Sequence, residues 1–152
     1  MNEKVEVLFA EAIDELQRME QICFGTEAWT AETMKAWFSL PTVRFFGVRE
    51  RGLLFGYVCA DYPESGCVKI NSLAVLPLYR RKGVATRLMR FALRQGARAG
   101  KTYAVLEAEA TNRAALALYE AMGFRAAAID PHYYGTGRHA LVMVLHDLTN
   151  FR

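Results

Sequence analysis

The sequence is poor in residues that staple a fold or coordinate a metal. Its 152 residues include three cysteines, Cys23, Cys59 and Cys67, and three histidines. The cysteines are odd in number, scattered and without a Cys-x-x-Cys pair, which points to free thiols in a reducing compartment. Cys59 and Cys67 could face each other across a hairpin, but burial as separate thiols is the simpler expectation. His132, His139 and His146 show no metal-ligand spacing to a cysteine, so no metal is expected. No apolar run approaches the ~18 residues needed to cross a bilayer. The opening Met-Asn-Glu-Lys-Val-Glu lacks the basic and apolar regions of a signal peptide. A cytoplasmic protein with no membrane partner is expected. Linkers, repeats and low-complexity tracts are missing as well, so residues 1–152 are expected to form one domain. A chain of this length buries roughly 68–70% of its unfolded surface and needs no staple.

Acid is missing where base is abundant. Residues 1–75 carry 7 basic and 11 acidic side chains, whereas residues 76–152 carry 12 and 5. Between Glu64 and Glu107 there is no acid, yet that span holds Lys69, Arg80, Arg81, Lys82, Arg87, Arg90, Arg94, Arg98 and Lys101. Such asymmetry implies an anionic partner: nucleic acid, a membrane surface or a phosphorylated ligand.

The patterning predicts a strand over 4–9 and a helix over 11–22 with Ile13, Leu16, Met19 and Ile22 as its apolar stripe. A second helix starts at Thr30 as its N-cap. Strands follow over 43–49 and 53–60, with Arg49-Glu50-Arg51-Gly52 as a turn, and over 67–76. A helix is expected over 84–99, a buried strand over 102–107, and a helix over 112–122 capped by Asn112 and ended by Gly123. Strands over 124–129 and 140–148 close the chain. Strand, helix, strand, helix, strand across 67–129 predicts parallel pairing through right-handed crossovers. The whole reads as α/β, a mixed and mostly antiparallel central sheet with helices on both faces.

The densest chemical signal is Arg80-Arg81-Lys82-Gly83-Val84-Ala85, directly after a strand and opening a helix. A helix start leaves about four backbone N–H groups without intrahelical partners and carries a partial positive charge, which together make an anion site. Gly83 permits a sharp turn and close approach of an anion. The loop has neither the Walker A glycines and lysine nor the three glycines of a dinucleotide fingerprint.

Arg80-x-x-Gly83-x-Ala85 resembles the Gln/Arg-x-x-Gly-x-Gly/Ala motif of the GCN5-related N-acetyltransferases (GNAT). Leu73-Ala74-Val75-x-Pro77-x-Tyr79-Arg80-Arg81-x-Gly83 resembles that superfamily's coenzyme-binding strand and loop. Leu106-Glu107-Ala108, Thr111-Asn112-x-Ala114-Ala115-x-x-Leu118-Tyr119-Glu120-x-x-Gly123-Phe124 and His132-Tyr133-Tyr134 are similar to its RimI branch of ribosomal-protein alanine and amino-terminal acetyltransferases. The resemblance spans roughly residues 5–147 and is tightest over 70–124.

The resemblance implies a GNAT fold and direct transfer of acetyl from acetyl-CoA to an amine within a ternary complex. The coenzyme would lie on the backbone of Leu73, Ala74 and Val75, on the loop Arg80, Arg81, Lys82, Gly83, Val84, Ala85 and Thr86, and on Asn112 and Tyr119. Glu107 would be the general base, acting through water, and Tyr119 the general acid. Trp29, Tyr133 and Tyr134 would bind the acceptor, in a groove between the loops around 24–30 and 131–137. The implied acceptor is a protein or peptide amino terminus, with ribosomal protein S18 the branch's usual partner in bacteria. Independently of the family, an α-amine near pKa ~8 is easier to deprotonate than a lysine near ~10.4.

Two other readings compete. Asp130-Pro131-His132 before the tyrosine pair, Gly135 after it and His139 depart from the branch on the acceptor side, which motivates a small-molecule amine acetyltransferase. A nucleic-acid-binding module would use the arginines of 84–99, but no aromatic is interleaved with them to stack on bases, and no nucleic-acid partner is expected.

Overall fold

The computed structural model describes residues 4–152. In chain order the elements are β1 (Glu6–Leu8), α1 (Ile13–Phe24), α2 (Ala31–Ser39), β2 (Val43–Glu50), β3 (Leu53–Asp61) and β4 (Cys67–Val75). They continue as α3 (Val84–Arg98), β5 (Tyr103–Glu109), α4 (Arg113–Ala121), β6 (Arg125–Asp130) and β7 (Ala140–Leu145). Local chemistry sets the helix boundaries. Thr30 Oγ1 accepts the Thr33 N–H at 3.1 Å and Asn112 Oδ1 accepts the Ala115 N–H at 3.2 Å, each satisfying a donor the helix cannot.

The strands form one sheet in the order β1-β2-β3-β4-β5-β7-β6. Every pairing is antiparallel except β4 with β5. The parallel pairing expected across 67–129 therefore holds for its first crossover only. β7 inserts between β5 and β6, because β6 and β7 pair as antiparallel neighbours and β7 then docks on β5.

Each face of the sheet has its own core. On one face α1 and α2 pack Leu16, Met19 and Met34 against Phe45, Leu54 and Tyr57. On the other, α3 packs Leu88, Met89 and Leu93 against Phe55, Val58 and Val68, with Leu116 and Tyr119 of α4 alongside. Gly96 lets α3 lie close to β4: a Cβ there would sit 2.2 Å from Val68 Cγ2.

Two expectations need correction. Ile22 is 53% exposed and leaves the apolar stripe of α1. At 100° per residue it lies half a turn away from Ile13, whereas Glu20 falls within ~20° of Ile13 and is buried instead. Of the cysteines only Cys59 is buried; Cys23 and Cys67 are partly exposed, and all three are free thiols. Cys59 pairs across the sheet with Ser72, and Cys67 with Tyr103.

Candidate active site

The site begins with a defect in the sheet. β4 and β5 pair only from Cys67↔Tyr103 to Ile70↔Leu106. Beyond that point β4 runs on to Val75 and β5 to Glu109, each still paired on its outer side. Asn71 is the extra residue of a bulge, since Ala60 opposes Ile70 while Cys59 opposes Ser72. A bulge bends its strand and sharpens its twist, and here β4 bends away from β5. The splay opens a cleft of about 760 Å³, within the usual range for a ligand site.

Most of the residues singled out in the sequence meet in this cleft. Leu73, Ala74 and Val75 of β4 line one wall and Glu107 of β5 the other, with Asn112, the N-cap of α4, and Tyr119 of α4 also in the lining. Arg80 and Ala85 line the cleft at the start of α3, Trp29 lines it from the core on the opposite face of the sheet, and Tyr133 and Tyr134 complete the lining. Arg81, Lys82 and Gly83 are exposed outside the lining, and Thr86 lies outside it as well. The Val84 side chain points into the core, at 3% exposure, so only its backbone is available to a ligand. Gly83 is the N-cap of α3 at φ 78°, and its carbonyl accepts the Arg87 N–H at 3.0 Å. The N–H groups of Val84, Ala85 and Thr86 therefore precede the first intrahelical bond. Arg80 Nε donates to Val75 O at 2.8 Å, which ties this loop to the end of β4.

Glu107 is partly buried, and its Oε2 has no hydrogen-bond partner among the described residues. The Tyr133 phenol is pushed up to about 12 by its hydrogen bond to the Glu107 carboxylate and by burial. Tyr134 OH donates to Glu107 O at 3.2 Å, so both tyrosines brace the same residue. Burial pushes Tyr119 up to about 12, with a smaller contribution from Tyr134. A phenol so shifted keeps its proton throughout the physiological range.

Sequence reasoning missed other residues that line or brace the cleft. Arg138 forms ion pairs with Glu109, at 2.8 Å, and with Glu27, joining the segment after α1 to the β6–β7 loop. Arg138 holds both carboxyls below the usual carboxylate range. Trp37 lies against Trp29 with ring centroids 5.6 Å apart and planes tilted by 32°, so Trp29 is both core anchor and cleft wall. Glu20, Cys23, Asn71 and Ser72 also line the cleft. The two histidines that depart from the family pattern brace the loop: His139 Nδ1 accepts the His132 N–H at 3.0 Å and His132 Nδ1 the Gly137 N–H at 2.8 Å.

A family model described as Acetyltransferase (GNAT) family matches residues 10–124. The chain belongs to that family. This acetyltransferase is 31% identical over 119 residues to the N-alpha-acetyltransferase RimI of Mycobacterium tuberculosis, covering 75% of this chain and 72% of that protein. It is 39% identical over 77 residues to the ribosomal protein bS18 alanine N-acetyltransferase of Escherichia coli, covering 49% of this chain and about half, 52%, of that protein. The crystal structure of the Escherichia coli ribosomal-protein-S18-alanine N-acetyltransferase superimposes with a TM-score of 0.85 at 24% identity, over 93% of this chain and 92% of that one. That likeness shows the fold. Acetyltransferases of this family transfer acetyl from acetyl-CoA to an amine, and this chain is an N-acetyltransferase.

Proposed function

We propose that this acetyltransferase modifies the α-amino group of a protein or peptide amino terminus, with an alanine-initial ribosomal protein of the S18 type as acceptor. The observation that carries the reading is one cleft holding Glu107, Tyr119 and the Tyr133–Tyr134 pair. The names of the relatives support it.

Acetyl-CoA would lie along the free inner edge of β4, its pantetheine on the backbone of Leu73 to Val75. Its pyrophosphate would sit on the N–H groups that open α3, where helix polarity and the charges of Arg80, Arg81 and Lys82 favour an anion. Asn112 would contact the coenzyme while capping α4. The acceptor would enter from the opposite mouth, between Trp29 and the two tyrosines.

Glu107 would take a proton from the entering amine through a water molecule. At pH 7 about a tenth of an α-amine is neutral, against well under ~0.1% of a lysine, so a base of modest strength suffices for the former. The neutral nitrogen attacks the thioester carbonyl and the C–N bond forms. The nitrogen loses its second proton, the C–S bond breaks, and the sulfur receives a proton. Tyr119 would stand at that sulfur as hydrogen-bond donor. A coenzyme thiol with an ordinary pKa near ~8.5 holds its proton less tightly than a phenol at about 12. The first gain is thus a hydrogen bond to developing charge, and net protonation completes as the thiol leaves. No cysteine or serine nucleophile takes part.

The test is a panel of short peptides varied at the first residue, each also made with a blocked amino terminus, assayed by release of free thiol from acetyl-CoA. Turnover is expected with free alanine-initial peptides and none with blocked ones. Turnover confined to polyamines or other small amines would reject the reading.

A further inference from the structure

Glu20 is the one charged residue among those described that the fold buries almost completely, at 2% exposure. A carboxylate in such a place is costly unless donors satisfy it. Three donors, one from the segment before α2 and two from neighbouring strands, do so. Glu20 Oε1 accepts the Trp29 N–H at 2.9 Å, and Oε2 accepts from Tyr57 OH of β3 at 2.5 Å and from Ser72 Oγ of β4 at 3.4 Å. Ser72 also lies 3.1 Å from the Tyr57 oxygen, which closes a triangle. Burial still pushes the Glu20 carboxyl up despite these bonds.

Stability alone gives little reason for a carboxylate here. Its helix neighbours on the same face are Ile13 and Leu16, and a leucine would fill the same apolar stripe. The partners supply the reason. Trp29 is the acceptor-side wall of the cleft, and Ser72 immediately precedes the strand segment Leu73–Val75 on its other side. Glu20 lines the cleft between them.

We propose that Glu20 is a positioning residue for the acceptor: by tying Trp29 to Tyr57 and Ser72, it holds the acceptor wall in register with the strand that carries the acetyl group. It touches no reacting atom. The inference rests on the placement of the acceptor between Trp29 and the tyrosine pair. Losing the ties frees the Trp29 segment, and the effect falls mainly on the acceptor, because the Glu20 ties end on Trp29, Tyr57 and Ser72 and not on Arg80 or the N–H groups that open α3.

Steady-state kinetics on Glu20→Leu, Glu20→Gln and Tyr57→Phe test it, with acetyl-CoA affinity measured separately. Leucine keeps the packing and removes the ties. Glutamine keeps an oxygen for the Trp29 N–H and an NH2 that can donate to Tyr57 or Ser72. Glu20→Leu should raise the acceptor KM about ten- to a hundredfold, the scale of a small misplacement, with acetyl-CoA affinity changed less than about twofold. Glu20→Gln should recover most of the loss, and Tyr57→Phe should show a smaller rise of the same sign. Glu20→Leu with a wild-type acceptor KM, equal losses for both substrates, or glutamine as poor as leucine would each overturn the proposal. Tyr57→Phe decides the matter if Glu20→Leu does not fold. If the wild-type enzyme acetylates no peptide, the amino-terminal reading fails, and the same comparison on the amine that turns over still decides the role of Glu20.

Discussion

Replacing Gly83 by valine isolates the proposed coenzyme loop. Gly83 caps α3 at φ 78° and ψ 9°, and Arg81 two residues earlier is also left-handed, at φ 62°. A Cβ on Gly83 would meet nothing within 4 Å, so the substitution causes no collision. Its cost is backbone strain, about 1–2 kcal/mol for an L-residue in the left-handed region, and a β-branched residue is a marked outlier there. The loop is exposed and relieves that strain by turning away, which swings the Val84 and Ala85 N–H groups off the proposed pyrophosphate position. A hydrogen bond to a charged group is worth about 1.5–3 kcal/mol, so losing one weakens acetyl-CoA binding about ten- to a hundredfold. Asparagine visits the left-handed region more readily and should fall between glycine and valine. Titration calorimetry with acetyl-CoA reads the affinity, and circular dichroism confirms the fold. Gly83→Val with an affinity within about twofold of wild type would refute the assignment of this loop.

The other predictions separate chemistry from packing. Glu107→Gln and Tyr119→Phe should each lower kcat about 10²–10⁴-fold, the usual weight of a proton-transfer group, while acetyl-CoA affinity stays near wild type; near-normal turnover in either removes that residue from its role. With Tyr119 at about 12, kcat/KM should rise as an α-amine deprotonates near pH ~8 and stay level to about pH 10, because an acid is lost only as pH climbs towards its own pKa. A falling limb between about pH 8 and 9 would contradict the Tyr119 assignment. Gly96→Ala should destabilise the fold by roughly 1–3 kcal/mol in thermal unfolding, since overpacking against buried Val68 outweighs the better helix propensity of alanine. A more stable Gly96→Ala would contradict the close packing of α3 on β4.

What the sequence shows plainly is what short stretches decide. Thr30, Gly83 and Asn112 each mark a helix start, because capping depends on one side chain or one backbone angle and a few neighbours. The loop proposed to hold an anion is visible for the same reason. The insertion of β7 between β5 and β6 is not visible, because chain order does not fix strand order once a hairpin can dock by either edge. The bulge at Asn71 escapes too, since it depends on register against β3. The clamp of Arg138 on Glu27 and Glu109 joins residues 111 and 29 positions apart, beyond any local pattern. Glu20 is within reach of the sequence: stepping by three residues from Ile13 leads to exposed Ile22, whereas stepping by 100° per residue puts Glu20 on the buried face.

The most direct measurement uses one alanine-initial peptide that carries both a free amino terminus and an internal lysine. After incubation with enzyme and acetyl-CoA, fragmentation mass spectrometry locates the acetyl group. The account predicts acetyl on the α-nitrogen with the lysine untouched. Acetyl on the lysine ε-nitrogen, or an unmodified peptide beside rapid turnover of small amines, would contradict it.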